Sequence, residues 1–264
     1  KKSVPIKKLF SLINIQIYRS MYKKILKKYL DVIISGIYPR RCPVCEEIVS
    51  PTGRMFCKDC ILKLSFVKTP LCLKCGKEIS DVQEEYCEDC NKHEKSFEYG
   101  MALLNYDELT ERIMIDIKYH NKREYIQALA KLLVSRYGDE ISKIDPDVLM
   151  PIPVHKKRLR QRGYNQSALF TKEVAKELNI DYVEDVLVRN KNTKAQKELS
   201  PEQRLANLSA AFACAKEAGK YGKVLLVDDI YTTGSTIEAC TRLLKEAGVK
   251  EVYYVSVAIG KTLV

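Results

Sequence analysis

The pattern of apolar and polar residues divides the chain into an N-terminal, a cysteine-rich and a C-terminal stretch. From Tyr99 onward, short apolar runs between turn residues predict strands, and apolar residues recurring every three or four positions predict helices. The predicted strands span 99–105, 147–152, 182–188, 210–215, 223–228 and 251–258. The predicted helices span 107–118, 124–137, 165–178 and 234–247. This alternation indicates an α/β fold built on a parallel twisted sheet.

The N-terminal stretch combines helical periodicity with positive charge. Apolar residues spaced by four from Ile17 to Tyr29 share one helical face, and lysines cover the other. Residues 1–41 hold eleven Lys and Arg against one acid, Asp31, in a chain whose net charge is +11. We expect a basic amphipathic lead helix within residues 1–38. Its lysines either surround a docking face or contact nucleic acid or anionic lipid.

The sequence lacks the long apolar segments of membrane and secreted proteins. A transmembrane helix needs roughly 20 predominantly apolar residues, and no such run occurs. The apolar segment 9–17 has a basic flank, but Arg19 and Lys23 follow at once and no small-residue cleavage site is present. We therefore expect a cytoplasmic protein, at most peripheral at the membrane. In that compartment, the ten cysteines are expected to bind metal or stay free rather than form disulfides.

Eight of the cysteines form four CxxC pairs at a constant spacing. The pairs are Cys42 and Cys45, Cys57 and Cys60, Cys72 and Cys75, and Cys87 and Cys90. Eleven residues separate each pair from the next, which gives a fifteen-residue repeat. Two such pairs make a tetrahedral Cys₄ zinc site, so the array predicts two zinc ions. A closed Cys₄ shell leaves no position for a substrate, which makes both ions structural.

Two arrangements of the zinc ligands are open at this point. A sequential arrangement joins the first two pairs in one site and the last two in the other, whereas an interleaved arrangement alternates the pairs. Gly76, directly after Cys75, suits the left-handed residue that a zinc knuckle often needs. His93 follows Cys90 closely but is expected to be a loop residue, because eight thiolates already fill two sites.

A predicted strand that ends in two carboxylates and a polar turn indicates a ligand site. An apolar run leads into Asp228 and Asp229, and the next predicted helix begins near residue 235. In an open α/β sheet, ligands bind where the carboxyl ends of strands meet helix N-termini. The carboxylates suit ribose hydroxyls, or a magnesium ion that bridges ribose and diphosphate. The turn residues offer successive amides and four hydroxyls to a phosphate: Thr232, Thr233, Gly234, Ser235 and Thr236.

A basic segment follows the second predicted strand. Five basic residues lie within seven positions from Lys156 to Arg162, with no acid among them. Two prolines fix the start of the segment, and Gly163 precedes the next predicted helix. Because this segment leaves the sheet at its carboxyl edge, we expect it to contact a bound anion.

These segments together resemble a known family. Residues 224–236 are similar to the phosphoribosyl diphosphate (PRPP) signature of type I phosphoribosyltransferases, and contain neither a Walker loop nor a dinucleotide fingerprint. The basic segment resembles the pyrophosphate loop of that fold, and its run Arg162–Gln166 is typical of the ComF (ComFC) competence proteins. The tripeptide Ile117–Tyr119 also fits that family. With the cysteine array ahead of it, the resemblance spans residues 39–260.

The resemblance implies a domain order and roles for particular residues. It implies a double zinc ribbon at 39–95 and a phosphoribosyltransferase-like domain at 96–264, whereas the lead helix at 1–38 lies outside the resemblance and is predicted from its residue pattern alone. Asp228 and Asp229 would be the catalytic pair that holds the ribose and Mg²⁺, with the 5-phosphate of PRPP on the turn that follows them. The diphosphate would contact Val154, His155, Lys156 and Arg158. A flexible closing loop would include Arg189, Gln196, Arg204 and Asn207.

The resemblance also implies a function, with alternatives left open. It implies a factor in DNA uptake for natural competence that binds PRPP with Mg²⁺ and single-stranded DNA, and that meets proteins of the uptake machinery. The alternative is a true phosphoribosyltransferase of nucleotide metabolism, which transfers phosphoribose to a nitrogen acceptor. No acceptor pocket is evident in the sequence, so whether the chain is an enzyme stays open. A third alternative, a zinc-ribbon adaptor with a ligand-free domain, is weakened by the intact acid pair and turn.

Overall fold

The computed structural model describes Tyr22 and residues 36–49, 53–190 and 210–260. The chain divides into two compact units, residues 1–57 and residues 58–264. The predicted lead helix falls almost wholly outside the described residues, as do positions 196, 204 and 207 of the predicted closing loop. In the part of the chain that the structure describes, no helix is long and apolar enough to cross a membrane.

Unit 1–57 contains a small zinc-ribbon hairpin. The Cys42 amide donates to the Glu47 carbonyl at 2.8 Å and closes a tight turn around the first cysteine pair. Glu46 lies in this turn with left-handed backbone, at φ +63°. The amides of such a turn point towards the sulfur atoms, which is the local geometry of a zinc knuckle.

Unit 58–264 begins with helix α1 (Lys58–Ile61) and contains a second copy of the hairpin, followed by helix α2 (Glu88–Lys92). The Cys72 amide donates to the Lys77 carbonyl at 2.8 Å, the same bond that closes the first hairpin. Gly76 adopts φ +68°, as predicted for the residue after the second cysteine of the pair. The cysteine repeat in the sequence is therefore also a repeat in structure.

The described residues after α2 form six strands, of which four make up the main sheet. The strands are β1 (Gly100–Tyr106), β2 (Val148–Pro151), β3 (Leu187–Arg189), β4 (Phe212–Cys214), β5 (Lys223–Tyr231) and β6 (Glu251–Gly260). All neighbours in the main sheet are parallel, in the order β1-β6-β5-β2. The two central strands, β5 and β6, are buried over most of their length because both faces of the sheet are covered. The predicted parallel sheet is thus confirmed.

The predicted strand 182–188 is wrong over most of its length. Only its end lies in β3, which pairs antiparallel with β4 in a separate two-stranded sheet. Tyr182 makes a single bridge to Leu149, and the exposed Glu184 and Asp185 interrupt the apolar pattern. A strand of a covered parallel sheet must bury both faces, which two successive exposed acids prevent.

Five longer helices are found in the part of the unit that the structure describes. They are α3 (Glu108–Tyr119), α4 (Glu124–Ile144), α5 (Lys156–Arg162), α6 (Gln166–Leu178) and α7 (Ser235–Glu246), with a short 3₁₀ helix at Lys216–Lys220. Helix α4 continues past its predicted end at 137, because Tyr137 and Ile141 extend its buried face.

The basic segment is a helix, where the resemblance implied a loop. The His155 side chain caps α5 by accepting a hydrogen bond from the Lys157 amide, and Gly163 ends the helix at φ +83°. Lysine, arginine, leucine and glutamine, which fill the segment, are all good helix formers. A capped start and a glycine stop therefore decide the local structure.

Both faces of the main sheet pack against other elements. Helix α6 packs on β2, β5 and α4, and helix α7 packs on β6 and β4. In β5, Val224 and Leu226 belong to one buried cluster with residues of α7, whereas Leu225 and Val227 alternate with them and point to the other face. Three cysteines of the second hairpin belong to the same cluster: Cys72, Cys75 and Cys87. The second hairpin is thus part of the hydrophobic core of unit 58–264.

Candidate ligand-binding site

The two adjacent carboxylates of β5 are buried and surrounded by hydrogen-bond donors. Asp228 and Asp229 are each 8% exposed. Asp228 Oδ1 accepts hydrogen bonds from Ser167 Oγ at 3.0 Å and from the Asp229 amide at 2.9 Å. Asp229 Oδ2 accepts one from Gln166 Nε2 at 2.9 Å and lies 2.5 Å from Lys118 Nζ. Helices α3 and α6 thus both supply partners to this end of the sheet.

The two carboxylates differ in charge because their partners differ. Burial raises the pKa of Asp228 well above its ordinary value, and the charge of Asp229 raises it further. Burial also opposes ionisation of Asp229, but the Lys118 ammonium and the hydrogen bond from Gln166 outweigh it and leave the pKa lowered. Asp229 is therefore the charged member of the pair. A dication between the two would favour ionisation of Asp228 as well.

Three of these partners were missed as site residues: Lys118, Gln166 and Ser167. The first two lie in segments typical of the ComF family, but only the tertiary fold places them against the acid pair. Asn165 orients the start of α6, since its side chain accepts from the Ser167 amide and donates to the Ile152 carbonyl at 3.0 Å. An Asn before a predicted helix is a known cap signal and could have indicated this turn.

The polar turn between β5 and α7 leaves donor groups at the surface. Gly234 is the N-cap of α7 with left-handed backbone at φ +71°, and a Cβ there would overlap the Tyr231 hydroxyl. Thr232 and Thr233 are exposed, and the Thr233 and Ser235 hydroxyl oxygens lie 2.9 Å apart. The first amides of a helix have no partners within it. Amides and hydroxyls at this position can bind a phosphate.

A cavity of about 530 Å³ opens beside Asp229. Helix α3 and the segment after it contribute Lys118, Tyr119, Asn121 and Arg123 to its lining; helix α5 and the start of α6 contribute Arg158, Gln161, Arg162, Tyr164 and Gln166. Among the described residues of the lining, four side chains are cations and Asp229 is the one carboxylate. The cavity is therefore suited to an anionic ligand.

Two of the cations lie against aromatic rings of the same cavity. The Arg123 guanidinium is 4.2 Å from the centroid of the Tyr164 ring, and the Arg162 guanidinium is 5.3 Å from that of Tyr119. Such contacts hold the guanidinium planes in place without neutralising their charge. The predicted residue Arg158 also lines the cavity. Of the other residues predicted to contact the diphosphate, Val154 and His155 are half-buried before α5 and Lys156 is exposed on it.

Arg189, predicted in the closing loop, lies in β3. Its guanidinium stacks over Phe212, 5.1 Å from the ring centroid. Burial lowers the pKa of this guanidinium and the nearby Arg158 lowers it further, whereas Cys240 and Asp228 raise it. The charges of Arg158 and Asp228 thus both act on Arg189, and the other three predicted loop residues lie outside the described residues.

The cysteines form two quartets with the geometry of zinc sites. The Sγ atoms of Cys42, Cys45, Cys57 and Cys60 lie within 4.8 Å of one another, as do those of Cys72, Cys75, Cys87 and Cys90. Two of the sulfur–sulfur distances are 3.8 and 3.6 Å. Zinc–sulfur bonds of about 2.3 Å in a tetrahedron place the sulfurs about 3.8 Å apart, so the quartets fit zinc. The grouping is the sequential one of the two arrangements.

Comparison with known proteins gives the same two modules. Residues 33–91 match the double zinc ribbon domain, and residues 118–261 match the phosphoribosyl transferase domain. The chain is 30% identical to Competence protein F of Haemophilus influenzae over 217 residues, which cover 80% of this chain and 93% of the relative. This chain belongs to the ComF competence-protein family. The family resemblance and the fold class predicted from the sequence are thereby confirmed.

Other ComF relatives align over most of their length. Competence protein ComFC of Bacillus subtilis is 26% identical over 234 residues, which cover 81% of this chain and 92% of the relative. DNA utilization protein YhgH of Escherichia coli K12 is 25% identical over 211 residues, which cover 78% and 85%. The aligned length in each case exceeds that of the phosphoribosyl transferase domain alone.

Proposed function

We propose that this ComF protein binds PRPP together with Mg²⁺ at the carboxyl edge of its sheet. The proposal is supported most directly by the acid pair, Asp228 and Asp229, which is followed within one turn by the exposed Thr232 and Thr233 and the half-buried Ser235 and Thr236. Carboxylates suit ribose hydroxyls and Mg²⁺, and a helix N-terminus with free hydroxyls suits the 5-phosphate. The match to the phosphoribosyl transferase domain favours the same ligand.

The diphosphate of PRPP would lie against the cationic cavity beside Asp229. Lys118 forms an ion pair with Asp229 and lines the cavity at the same time. A Mg²⁺ ion on the acid pair would compete with the Lys118 ammonium for the same carboxylate. Lys118 would then turn to the diphosphate, so one lysine balances the acid pair before binding and the ligand afterwards.

We further propose that the protein acts in the uptake of transforming DNA on the cytoplasmic side and contacts single-stranded DNA. The names of the relatives, two competence proteins and a DNA utilization protein, support this role. The basic lead 1–38 and the exposed lysines of α5 supply charge for a phosphate backbone. Proteins of the uptake machinery would be its partners.

Transfer of phosphoribose to a nitrogen acceptor remains the alternative. One residue of the cavity favours this alternative. Tyr119 at the rim of the cavity is 71% exposed and offers a surface on which the ring of an acceptor could stack. Turnover would release pyrophosphate from PRPP. A coupled pyrophosphate assay with nucleobases and ammonia as acceptors separates an enzyme from a binding protein.

Calorimetric titration with PRPP, with and without Mg²⁺, tests the ligand. The wild type should bind more tightly with Mg²⁺, and the double variant Asp228→Asn with Asp229→Asn should bind weakly and gain nothing from the metal. Asp139→Asn, on the exposed surface of α4, is the matched control and should bind as the wild type does. Wild-type affinity in the double variant would disprove the site.

Salt-dependent binding of a single-stranded oligonucleotide tests the DNA interaction. Removing residues 1–38 should lower the affinity and flatten the slope of log affinity against log salt by roughly 0.7 for each phosphate that the protein no longer neutralises. PRPP binding should survive, because the acid pair and the turn lie elsewhere in the chain. An unchanged slope would show that the lead does not contact DNA.

A further inference from the structure

A buried lysine joins the second cysteine quartet to the turn at residues 232–236 (the phosphate turn). The Lys95 side chain is 7% exposed, and its Nζ lies 3.0 Å from Asp89 Oδ2. The same ammonium donates to the Thr233 carbonyl in the turn, at 3.3 Å. Asp89 stands between the two cysteines of the last CxxC pair. Because a buried ammonium needs its partners to stay charged, removing either partner is costly.

The next residue anchors the helix that starts at this turn. The amide and hydroxyl of Ser96 donate to the two carboxylate oxygens of Glu238, at 2.7 and 2.6 Å. Glu238 is 3% exposed and lies in the first turn of α7. The segment after the last cysteine pair therefore bonds both the phosphate turn and the start of α7.

A second set of contacts leads to the turn from the other knuckle. The Tyr254 hydroxyl donates to the Cys75 carbonyl at 2.7 Å. The Tyr254 ring stacks on Tyr231, with centroids 4.8 Å apart and planes at 4°, and Phe97 meets both rings edge-on. Tyr231 in turn fills the space next to Gly234, where a Cβ would overlap its hydroxyl. Both knuckles of the second quartet thus connect to the turn.

The two zinc hairpins differ at positions that match in sequence. Glu46 and Gly76 each follow the second cysteine of a pair and share left-handed backbone. A Cβ on Gly76 would overlap the Gly100 carbonyl at the start of β1, whereas Glu46 carries an exposed side chain. Asp59 and Asp89 also match; Asp59 is exposed, and Asp89 bonds the buried lysine. The second hairpin thus has the substitutions that close packing on the sheet requires.

We propose that the second zinc quartet holds the phosphate turn in place, and that Lys95 is the positioning residue that links the quartet to the turn. With zinc bound by its four thiolates, this quartet would hold Asp89 in place. The Asp89 carboxylate lies 3.0 Å from the Lys95 ammonium, which donates to the Thr233 carbonyl. The proposal rests on the proposed function only for the ligand, PRPP. Breaking the link should loosen the turn whether or not PRPP is the ligand that it holds.

The test breaks the link from each side in the full chain. Lys95→Met removes the ammonium and Asp89→Asn removes its carboxylate partner. Lys92→Met, an exposed lysine of α2, and Asp59→Asn, the matched acid of the first quartet, are the controls. None of the four positions is a cysteine, so zinc analysis should give two ions in every variant. Hydrogen–deuterium exchange followed by mass spectrometry reports on peptides over 228–240 and over β6.

Exchange over 228–240 should be about tenfold faster in Lys95→Met and Asp89→Asn, and unchanged in both controls. The double variant should exchange no faster than the single ones, because the two residues form one link. Exchange over β6 should not change. Calorimetry should show PRPP with Mg²⁺ bound about tenfold more weakly by both link variants.

The other possible results each lead to a different conclusion about Lys95. Unchanged exchange over 228–240 would overturn the proposal, and so would an equal effect of Asp59→Asn. Faster exchange over β6 as well would assign Lys95 to general stability instead of positioning. If the wild type failed to bind PRPP while the turn still responded to the variants, the proposed ligand would be wrong and the link would stand.

Discussion

Replacing Lys118 by methionine should lower the free energy of unfolding by about 3 kcal/mol at neutral pH. The Lys118 and Asp229 side chains are 17% and 12% exposed, with Nζ and Oδ2 2.5 Å apart. Removing one partner of a buried ion pair leaves the other charge uncompensated, which costs about 3–5 kcal/mol. We expect the lower end of that range, because the pair borders a cavity open to water.

The loss should shrink as the pH falls. The pKa of Asp229 is lowered in the folded wild type, so its ionised form stabilises the fold above the unfolded value of about 3.9, and this stability is lost as the pH falls through the lower folded pKa. Without Lys118, burial would raise the pKa of Asp229. Protonation of Asp229 at lower pH would then remove the uncompensated charge and reduce the loss of unfolding free energy in the variant. The difference between the two proteins should therefore narrow from pH 7 towards about pH 4.

Urea unfolding followed by circular dichroism measures these effects. Wild type, Lys118→Met, Asp229→Asn and the double variant give the coupling between the two residues, which should be about 2 kcal/mol or more. Lys143→Met, an exposed lysine of α4, is the control and should stay within about 0.5 kcal/mol of the wild type. If Lys118→Met destabilised the wild type and the Asp229→Asn variant equally, the reasoning would be refuted.

Metal analysis of the purified protein should give two zinc ions per chain, and Cys90→Ser should remove one of them; a single ion in the wild type would contradict the two-site assignment. Tyr254→Phe should lower the free energy of unfolding by about 1–3 kcal/mol, because the buried Cys75 carbonyl loses its hydrogen-bond donor. Tyr231→Phe should be nearly neutral in the same urea titration, since the Tyr231 hydroxyl has no hydrogen-bond partner among the described residues. Similar losses in both tyrosine variants would argue against that difference in bonding.

The elements of the main sheet could be predicted because each carries its signal locally. Strand β5 is an apolar run long enough to be buried on both faces, and its carboxylates come directly after that run. The strand predicted at 182–188 failed because Glu184 and Asp185 interrupt its apolar pattern, and the apolar residues that follow them do not specify a partner strand. Strand β3 pairs with β4, and nothing in the residues near Leu187 indicates that choice.

The partners of the acid pair could not be predicted, because they come from distant parts of the chain. Lys118 and Gln166 reach Asp229 only after α3 and α6 have packed at the same edge of the sheet. The boundary between the zinc ribbon and the domain after it, predicted at residue 95, also depends on contacts between distant parts of the chain. The cysteine spacing predicts the ligands of zinc, but the packing of Cys72 and Cys75 against the sheet depends on Tyr254, far along the chain.

The strand order has a consequence for how the domain is made on the ribosome. Strand β6 lies between β1 and β5, yet it is the last of the described strands to be synthesised. Until Glu251–Gly260 leaves the exit tunnel, β1 and β5 have no common neighbour, and Tyr254 cannot reach the Cys75 carbonyl. The cysteines are synthesised first and could bind zinc early, whereas the main sheet can form only after β6 has been made. A premature stop before residue 251 should therefore leave a metal-bound fragment with no transferase fold.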